Sequence, residues 1–262
     1  GQCFFSNSGA EANETAIKLA RLHGQGKRYK IITMEGGFHG RSMGAVSATA
    51  QPKYHQGFYP LLPGFSYVPY GDLQAAANAI DSETAAILVE PIQGEGGIRI
   101  PPQDYLPGLR ALADQHKLLL IFDEVQAGMA RTGKWFGFQN FGIKPDVFTL
   151  AKSLAGGVAM GAVVAKPEVA AMLKPGMHAC TFGGNPIASR AALAFIETVE
   201  KEKLLDRALS LGRKFYDRFT ALQKRCPIVQ EVRVMGTMIG IELDRDGTPV
   251  VQRCMERQLL VN

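Results

Sequence analysis

The chain has 262 residues, of which 46% are hydrophobic and 20% charged, and it carries a formal net charge of +5. That balance excludes a disordered chain, and the length suffices for one large domain or for a domain with a smaller partner. Basic residues are spread rather than clustered; the densest stretch, Lys201 to Arg218, mixes acids and bases at helical spacing, so it reads as a solvated helix face and not as a nucleic-acid stripe.

Cys3, Cys180, Cys226 and Cys254 form no Cys-x-x-Cys pair and no His/Cys cluster with zinc spacing, so no metal site is expected. Scattered thiols in a chain this long fit a reducing, cytoplasmic compartment. No apolar run is long enough to span a bilayer, and the start does not read as a signal peptide. The chain opens on Gly1 and closes on Leu259-Leu260-Val261-Asn262, an apolar run that reads as a strand cut short. The expectation is a piece of a longer protein.

In chain order, a helix is expected over Glu11 to Leu22, a strand at Ile31 to Thr33 and a helix from Leu73 to Ile80. Strands at Ala85 to Val89 and Leu118 to Phe122 flank a helix from Tyr105 to His116. Strands at Asp146 to Leu150 and Ala162 to Ala165 precede a helix from Pro167 to Leu173. Continuous apolar strands alternating with helices predict an α/β fold with a mostly parallel sheet covered on both faces. In such sheets ligands bind beyond the carboxyl ends of the strands, where Glu90, Asp123, Glu124 and Lys152 fall. Two long helices, Ile187 to Lys203 and Leu204 to Gln223, then a strand at Gly236 to Leu243 and a helix at Val250 to Leu260, predict part of a smaller α+β domain. The boundary is set near residue 190, giving domains of 1–190 and 191–262.

Five stretches carry candidate chemistry. Ser6 to Glu14 puts small residues at a helix start, with Ser8 and Glu11 at capping-box spacing; backbone N–H groups there can approach a phosphate. Taken alone it is an ordinary N-cap. Asp123, at a buried strand end, needs a cationic or hydrogen-bonding partner. A protonated ring nitrogen of an electron-sink cofactor is one such partner; no His or third carboxylate stands near enough in sequence to favour a metal. Lys152 follows an apolar strand, so partial desolvation lowers its pKa and makes the amine a better nucleophile toward an aldehyde. Alone, a snorkelling lysine explains it equally well. Phe38-His39-Gly40-Arg41 could supply a stacking ring and a carboxylate clamp, or merely a core Phe and a surface Arg. Thr181 to Pro186 is a Gly-rich loop whose threonine could meet a phosphate.

Together these stretches, with Glu90-Pro91-Ile92-Gln93-Gly94-Glu95-Gly96-Gly97 and Asp123-Glu124-Val125-Gln126, resemble the class III (ω-type) aminotransferases of the fold type I pyridoxal-phosphate enzymes. The resemblance runs over nearly the whole chain, in order. Gln51-Pro52-Lys53-Tyr54 and Val68-Pro69-Tyr70-Gly71-Asp72-Leu73 resemble the acetylornithine branch. The resemblance implies that Lys152 carries pyridoxal 5'-phosphate and later shuttles a proton, while Asp123 pairs with the pyridine nitrogen. It implies Val125 and Phe38 on the two ring faces, Gln126 at the ring hydroxyl, and Ser8, Gly9 and Ala10 at the phosphate, with His39 among the cofactor-binding residues. It implies Thr181 reaching the phosphate of a second subunit in a homodimer with shared active sites. Substrate would meet Arg41, Glu90, Cys180 and the gate residue Glu95.

Two positions depart from the family pattern. Ala130 stands where glycine is usual, and Cys180 where Ser or Thr is usual. A carboxylate-binding arginine of the family's C-terminal segment has no counterpart in this chain. The implied activity is transfer of the δ-amino group of N-acetylornithine to 2-oxoglutarate. The alternatives are ornithine, succinylornithine or 4-aminobutyrate as donor, an aminomutase, and a non-catalytic phosphate-binding domain.

Overall fold

The computed structural model describes residues 1–262. Seven strands form one sheet: β1 (Gln2–Ser6), β2 (Lys30–Met34), β3 (Phe65–Val68), β4 (Thr84–Val89), β5 (Leu119–Asp123), β6 (Val147–Leu150) and β7 (Gly161–Ala165), in the order β1-β7-β6-β5-β4-β2-β3. The strands from β2 to β6 pair in parallel; β7 alone runs against its neighbours β6 and β1. The helices between them are α1 (Gly9–His23), α2 (Met43–Ala48), α3 (Leu73–Asn78) and α4 (Tyr105–His116), and α5 (Pro167–Ala170) follows β7. Then come α6 (Pro186–Lys201), α7 (Leu204–Gln223), a separate antiparallel hairpin of β8 (Val229–Met235) and β9 (Met238–Leu243), and α8 (Thr248–Glu256).

The strand sequences are apolar throughout because both sheet faces are covered. Successive side chains alternate between two cores. Ile31, Ala86, Leu88, Leu119, Ile121 and Val147 join the core under Ala12, Ala16, Ile17 and Ala20 of α1. Ile32, Ile87, Val89, Leu120 and Phe122 join the opposite core under Ala76 of α3 and Leu106, Leu109 and Ala113 of α4. The expected sheet with helices on both faces is present.

Four elements were not expected. β1 and β3 are edge strands, β8 reads VQEVRVM with charges between its apolar positions, and α2 has only six residues. Two expectations fail at the end of the chain. The last helix stops at Glu256, and Leu259 to Asn262 form no strand, with Leu260 85% exposed. Nothing pairs with that run, and an apolar run is a strand only where another strand supplies the ladder. α6 runs unbroken through residue 190, so any change of structural unit there falls inside a helix rather than in a loop.

Two local features generate tests of stability. Asp146 is buried, and its carboxylate accepts from Arg110 at 2.8 Å, Lys166 at 2.7 Å and the Leu120 N–H at 2.8 Å. Burial alone would push its pKa up, but these donors outweigh it and hold the acid below its ordinary 3.8. A carboxyl depressed in the folded state stabilises fully above its unfolded pKa, and the contribution is lost as pH falls through the folded one. Asp146→Asn should therefore cost about 1.5–3 kcal/mol at pH 7. In acid the gap to the parent should narrow, as denaturant melts from pH 7 to pH 2 will show. Ala130 has φ +74°, in the left-handed region that favours glycine. Ala130→Gly relieves that strain and should raise stability by about 0.5–1 kcal/mol despite the added freedom of the unfolded chain; a lower melting temperature would contradict this.

Candidate active site

A cavity of about 410 Å³ opens at the carboxyl ends of β5 and β6. It has the size of a small-molecule site. One wall is the start of α1 and another is the loop after β2, from Phe38 to Arg41; Asp123, Val125 and Gln126 follow β5, and Lys152 follows β6.

Asp123 ends β5 and is 2% exposed. Its Oδ2 accepts from Asn13 Nδ2 at 2.7 Å and lies 2.8 Å from His39 Nδ1, while Oδ1 accepts the Val125 N–H at 3.0 Å. Three donors replace the water that burial removes. Burial pulls the His39 pKa down, but the hydrogen bond and charge of Asp123, with the charge of Glu90, leave it raised above its ordinary 6.5. The other ring nitrogen, Nε2, is buried without a partner.

Lys152 follows Ala151 at the end of β6 and opens a short 3₁₀ turn, with its own φ at +47°. A non-glycine residue in that region is strained, and strain of this kind collects at functional sites. The amine opens to the cavity, yet the protein around its stem partly desolvates it. That desolvation lowers its pKa, against the opposing charges of Glu95, Asp123 and Glu90.

α1 begins where the expected N-cap lies. Ser8 Oγ accepts the Glu11 N–H at 3.2 Å, and the Ser8 carbonyl accepts from Ala12 N–H at 3.1 Å. Glu11 reaches back one residue further than a capping box requires, to the Asn7 N–H at 2.6 Å. The first N–H groups of a helix have no intrahelical acceptor, which leaves those of Gly9 and Ala10 for a ligand. A Cβ on Gly9 would lie 2.9 Å from Val125 Cγ1, so only bare backbone fits against that wall. Gly40 has φ +134°, which turns the chain between inward His39 and cavity-lining Arg41.

Of the four charged residues expected to meet at the strand ends, Asp123 and Lys152 line the cavity. Glu124 turns to the other side, as alternation along the chain requires, and accepts the N–H groups of Gly137 and Phe138, each at 2.8 Å. Burial pushes its pKa up to about 7. Glu90 stands outside the cavity and braces its rim, accepting from Phe38 N–H at 2.9 Å and Gly94 N–H at 3.0 Å. Burial, then the charge of Asp123, pushes Glu90 up to about 7. Glu95 is also outside and touches the cavity through Gln126, whose Nε2 donates to it at 3.3 Å. Cys180 and Thr181 line a separate cleft beside Asn7 and Glu11, and Asn7 Nδ2 donates to Cys180 Sγ at 3.1 Å.

The residue that sequence reasoning missed is Asn13. It is fully buried, donates to Asp123 and to the His39 carbonyl, and accepts from Thr149 Oγ1 at 3.0 Å. Its signal was an amide on the largely apolar buried face of α1, beside Ala12 and Ala16.

The family model for class-III aminotransferases matches residues 1–262. The acetylornithine aminotransferase of Caldanaerobacter subterraneus subsp. tengcongensis is 49% identical over 100% of this chain and 68% of its own length. That of Methanocaldococcus jannaschii is 48% identical over 100% of this chain and 67% of its own. Among solved structures, ornithine aminotransferase from Toxoplasma gondii ME49 superposes with a TM-score of 0.94 at 35% identity, over 100% of this chain and 65% of that one. An (S)-enantioselective omega-transaminase from Thermomicrobium roseum gives 0.94 at 34% identity, over 100% and 68%. The chain thus spans about two thirds of the length of these relatives. By sequence and by fold, the chain belongs to the class-III aminotransferases.

Proposed function

We propose that this protein moves the δ-amino group of N-acetylornithine to 2-oxoglutarate, using pyridoxal phosphate held in the cavity between α1 and Lys152. The observation that carries the reading is the meeting of three groups in one cavity: the Lys152 amine, a buried carboxylate and a helix N-terminus. Similarity to acetylornithine aminotransferases supports the choice of substrate.

The walls fit the cofactor. The free N–H groups of Gly9 and Ala10, with Ser8, suit a phosphate, and the bare backbone at Gly9 lets the helix start pack against Val125. Asp123 suits a protonated ring nitrogen. Val125 and Phe38 supply apolar surfaces for the two ring faces, Gln126 an amide for the ring hydroxyl. Bound there, the cofactor supplies an electron sink for the pair left when the substrate carbon loses its proton.

The chain's own residues do the rest. Lys152 Nζ would tether the cofactor and, once displaced, would take the proton from the carbon bearing the amine and deliver it to the carbon on the far side of that nitrogen. A lowered pKa keeps more of that amine unprotonated and able to accept. His39 acts through Asp123, and Asn13 keeps the carboxylate aimed. Arg41 grips a substrate carboxylate. Glu95, held by Gln126, gates the site between amine donor and oxo acid, and Glu90 braces the loop that carries it. Thr181 and Cys180 serve the site of a second copy in a homodimer. In the same reading residues 1–190 hold the cofactor, 191–262 form the smaller unit, and the protein works in the cytoplasm, in keeping with its four free cysteines.

The test is a comparison of donors. N-acetylornithine, ornithine, succinylornithine and 4-aminobutyrate are each mixed with the cofactor-loaded protein, and the loss of its visible band is timed. N-acetylornithine should be fastest. A faster rival would reassign the substrate; no response to any amine would overturn the aminotransferase reading. Lys152→Ala should lower turnover by at least about 10³-fold. Asn13→Ala strands the hydroxyl of Thr149 and removes a donor from Asp123. It should cost about 1–3 kcal/mol of stability and weaken cofactor binding, read by melting and by titration.

A further inference from the structure

Arg41 makes no ion pair in the fold. Its guanidinium lies over the ring of Tyr54, 4.5 Å from the centroid, and 5.6 Å from that of Phe38. The two rings meet edge to face at 5.3 Å. A guanidinium held over an aromatic ring spends none of its N–H groups on that contact, so its N–H edges stay free. Those edges are what a carboxylate binds in bidentate fashion, and Arg41 lines the cavity.

Tyr54 ends a short 3₁₀ turn, Pro52–Tyr54, that is anchored on both sides. Before it, Gln51 Nε2 donates to the carbonyls of Gly36 and Gly37, each at 3.1 Å, in the turn that launches Phe38. After it, the buried ring of His55 reaches the carbonyls of Val46 at 3.1 Å and Thr49 at 2.6 Å, at the end of α2. Proline at the first position presets the turn. The ring of Tyr54 is thus tied to both ends of the segment that carries Arg41. The Tyr54 hydroxyl has no part in these contacts. Lys53 Nζ stands 4.8 Å from the same ring, so an incoming anion meets a second positive charge nearby.

We propose that Tyr54 is a specificity-determining residue: its ring holds the Arg41 guanidinium with its donor edge toward the cavity and thereby selects substrates that carry a carboxylate. This rests on the reading of Arg41 as the carboxylate grip and extends it to a residue outside the cavity. The face of the ring does the work, so phenylalanine at 54 suffices and a non-aromatic residue does not.

The test uses the cofactor-loaded protein, with Arg41→Ala, Tyr54→Phe, Tyr54→Leu and Tyr54→Gln variants. Two quantities are read: the Kd of glutarate, a dicarboxylate that cannot react, by calorimetry, and KM against kcat for N-acetylornithine and for a primary amine without a carboxylate. Tyr54→Leu and Tyr54→Gln should each weaken glutarate binding about three- to ten-fold and raise the KM of N-acetylornithine more than they lower kcat. Tyr54→Phe should restore both, and the carboxylate-free amine should not respond. In an Arg41→Ala background, Tyr54→Leu should add nothing. If Arg41→Ala weakens glutarate binding and neither non-aromatic variant does, the role of Tyr54 is overturned and that of Arg41 stands. If Arg41→Ala has no effect on glutarate, the carboxylate grip itself fails and the proposal with it. Equal losses for both amines, or a loss in Tyr54→Phe matching that in Tyr54→Leu, would also overturn it.

Discussion

A carboxylate cut off from water at the end of a central strand must be given donors from the protein, and the site is organised around that requirement at Asp123. The donors come from three places: the backbone just after β5, the loop after β2 through His39, and the second turn of α1 through Asn13. Asn13 is itself held by Thr149 of β6. One buried network therefore ties α1, two strands and a loop together. Because α1 is pinned at Asn13, the free N–H groups at its start are fixed relative to Asp123, and Lys152 follows the strand that carries Thr149. The distances within the cavity are consequences of satisfying one buried charge.

Three acids stand at strand ends, and their partners divide their work. Asp123 has side-chain donors and faces the cavity. Glu90 and Glu124 have backbone donors and brace loops: Glu90 holds Phe38 and Gly94, and Glu124 holds the turn Gly137–Phe141. Both are held up to about 7 by burial, whereas a pair of carboxylates joined by flexible solvent-facing loops would not be. The β8–β9 hairpin adds an outer brace, since Arg233 donates to the carbonyls of Gly97 and Ile98 in the loop that carries Glu95.

The central strands were legible in the sequence because burial on both faces writes an unbroken apolar run, as in Ala85 to Val89 or Leu118 to Phe122. The edge strands were not. Phe65–Val68 is four residues with a 41% exposed Tyr67, and its strand character comes from pairing with β2. Helix α2 was hidden for a related reason. Its first N–H groups, Gly44 and Ala45, are capped by Glu14 Oε1 of α1, thirty residues upstream of Gly44, and no local pattern records that. In the site, Lys152 and Asp123 could be read from strand ends, and Ser8 from its capping pattern. Asn13 could not be given a role, because its partners at positions 39, 123 and 149 come together only in the fold. The left-handed backbone at Ala130 explains why glycine is the residue expected there.

The central claim is that Lys152 is the amine that holds the cofactor beside Asp123. The direct measurement is to reduce the pyridoxal-phosphate-loaded protein with borohydride, digest it and locate the fixed phosphopyridoxyl mass by tandem mass spectrometry. The account predicts one modified peptide, with the mass on Lys152, and none in Lys152→Ala. A mass on another lysine, or one undiminished in the variant, would contradict it.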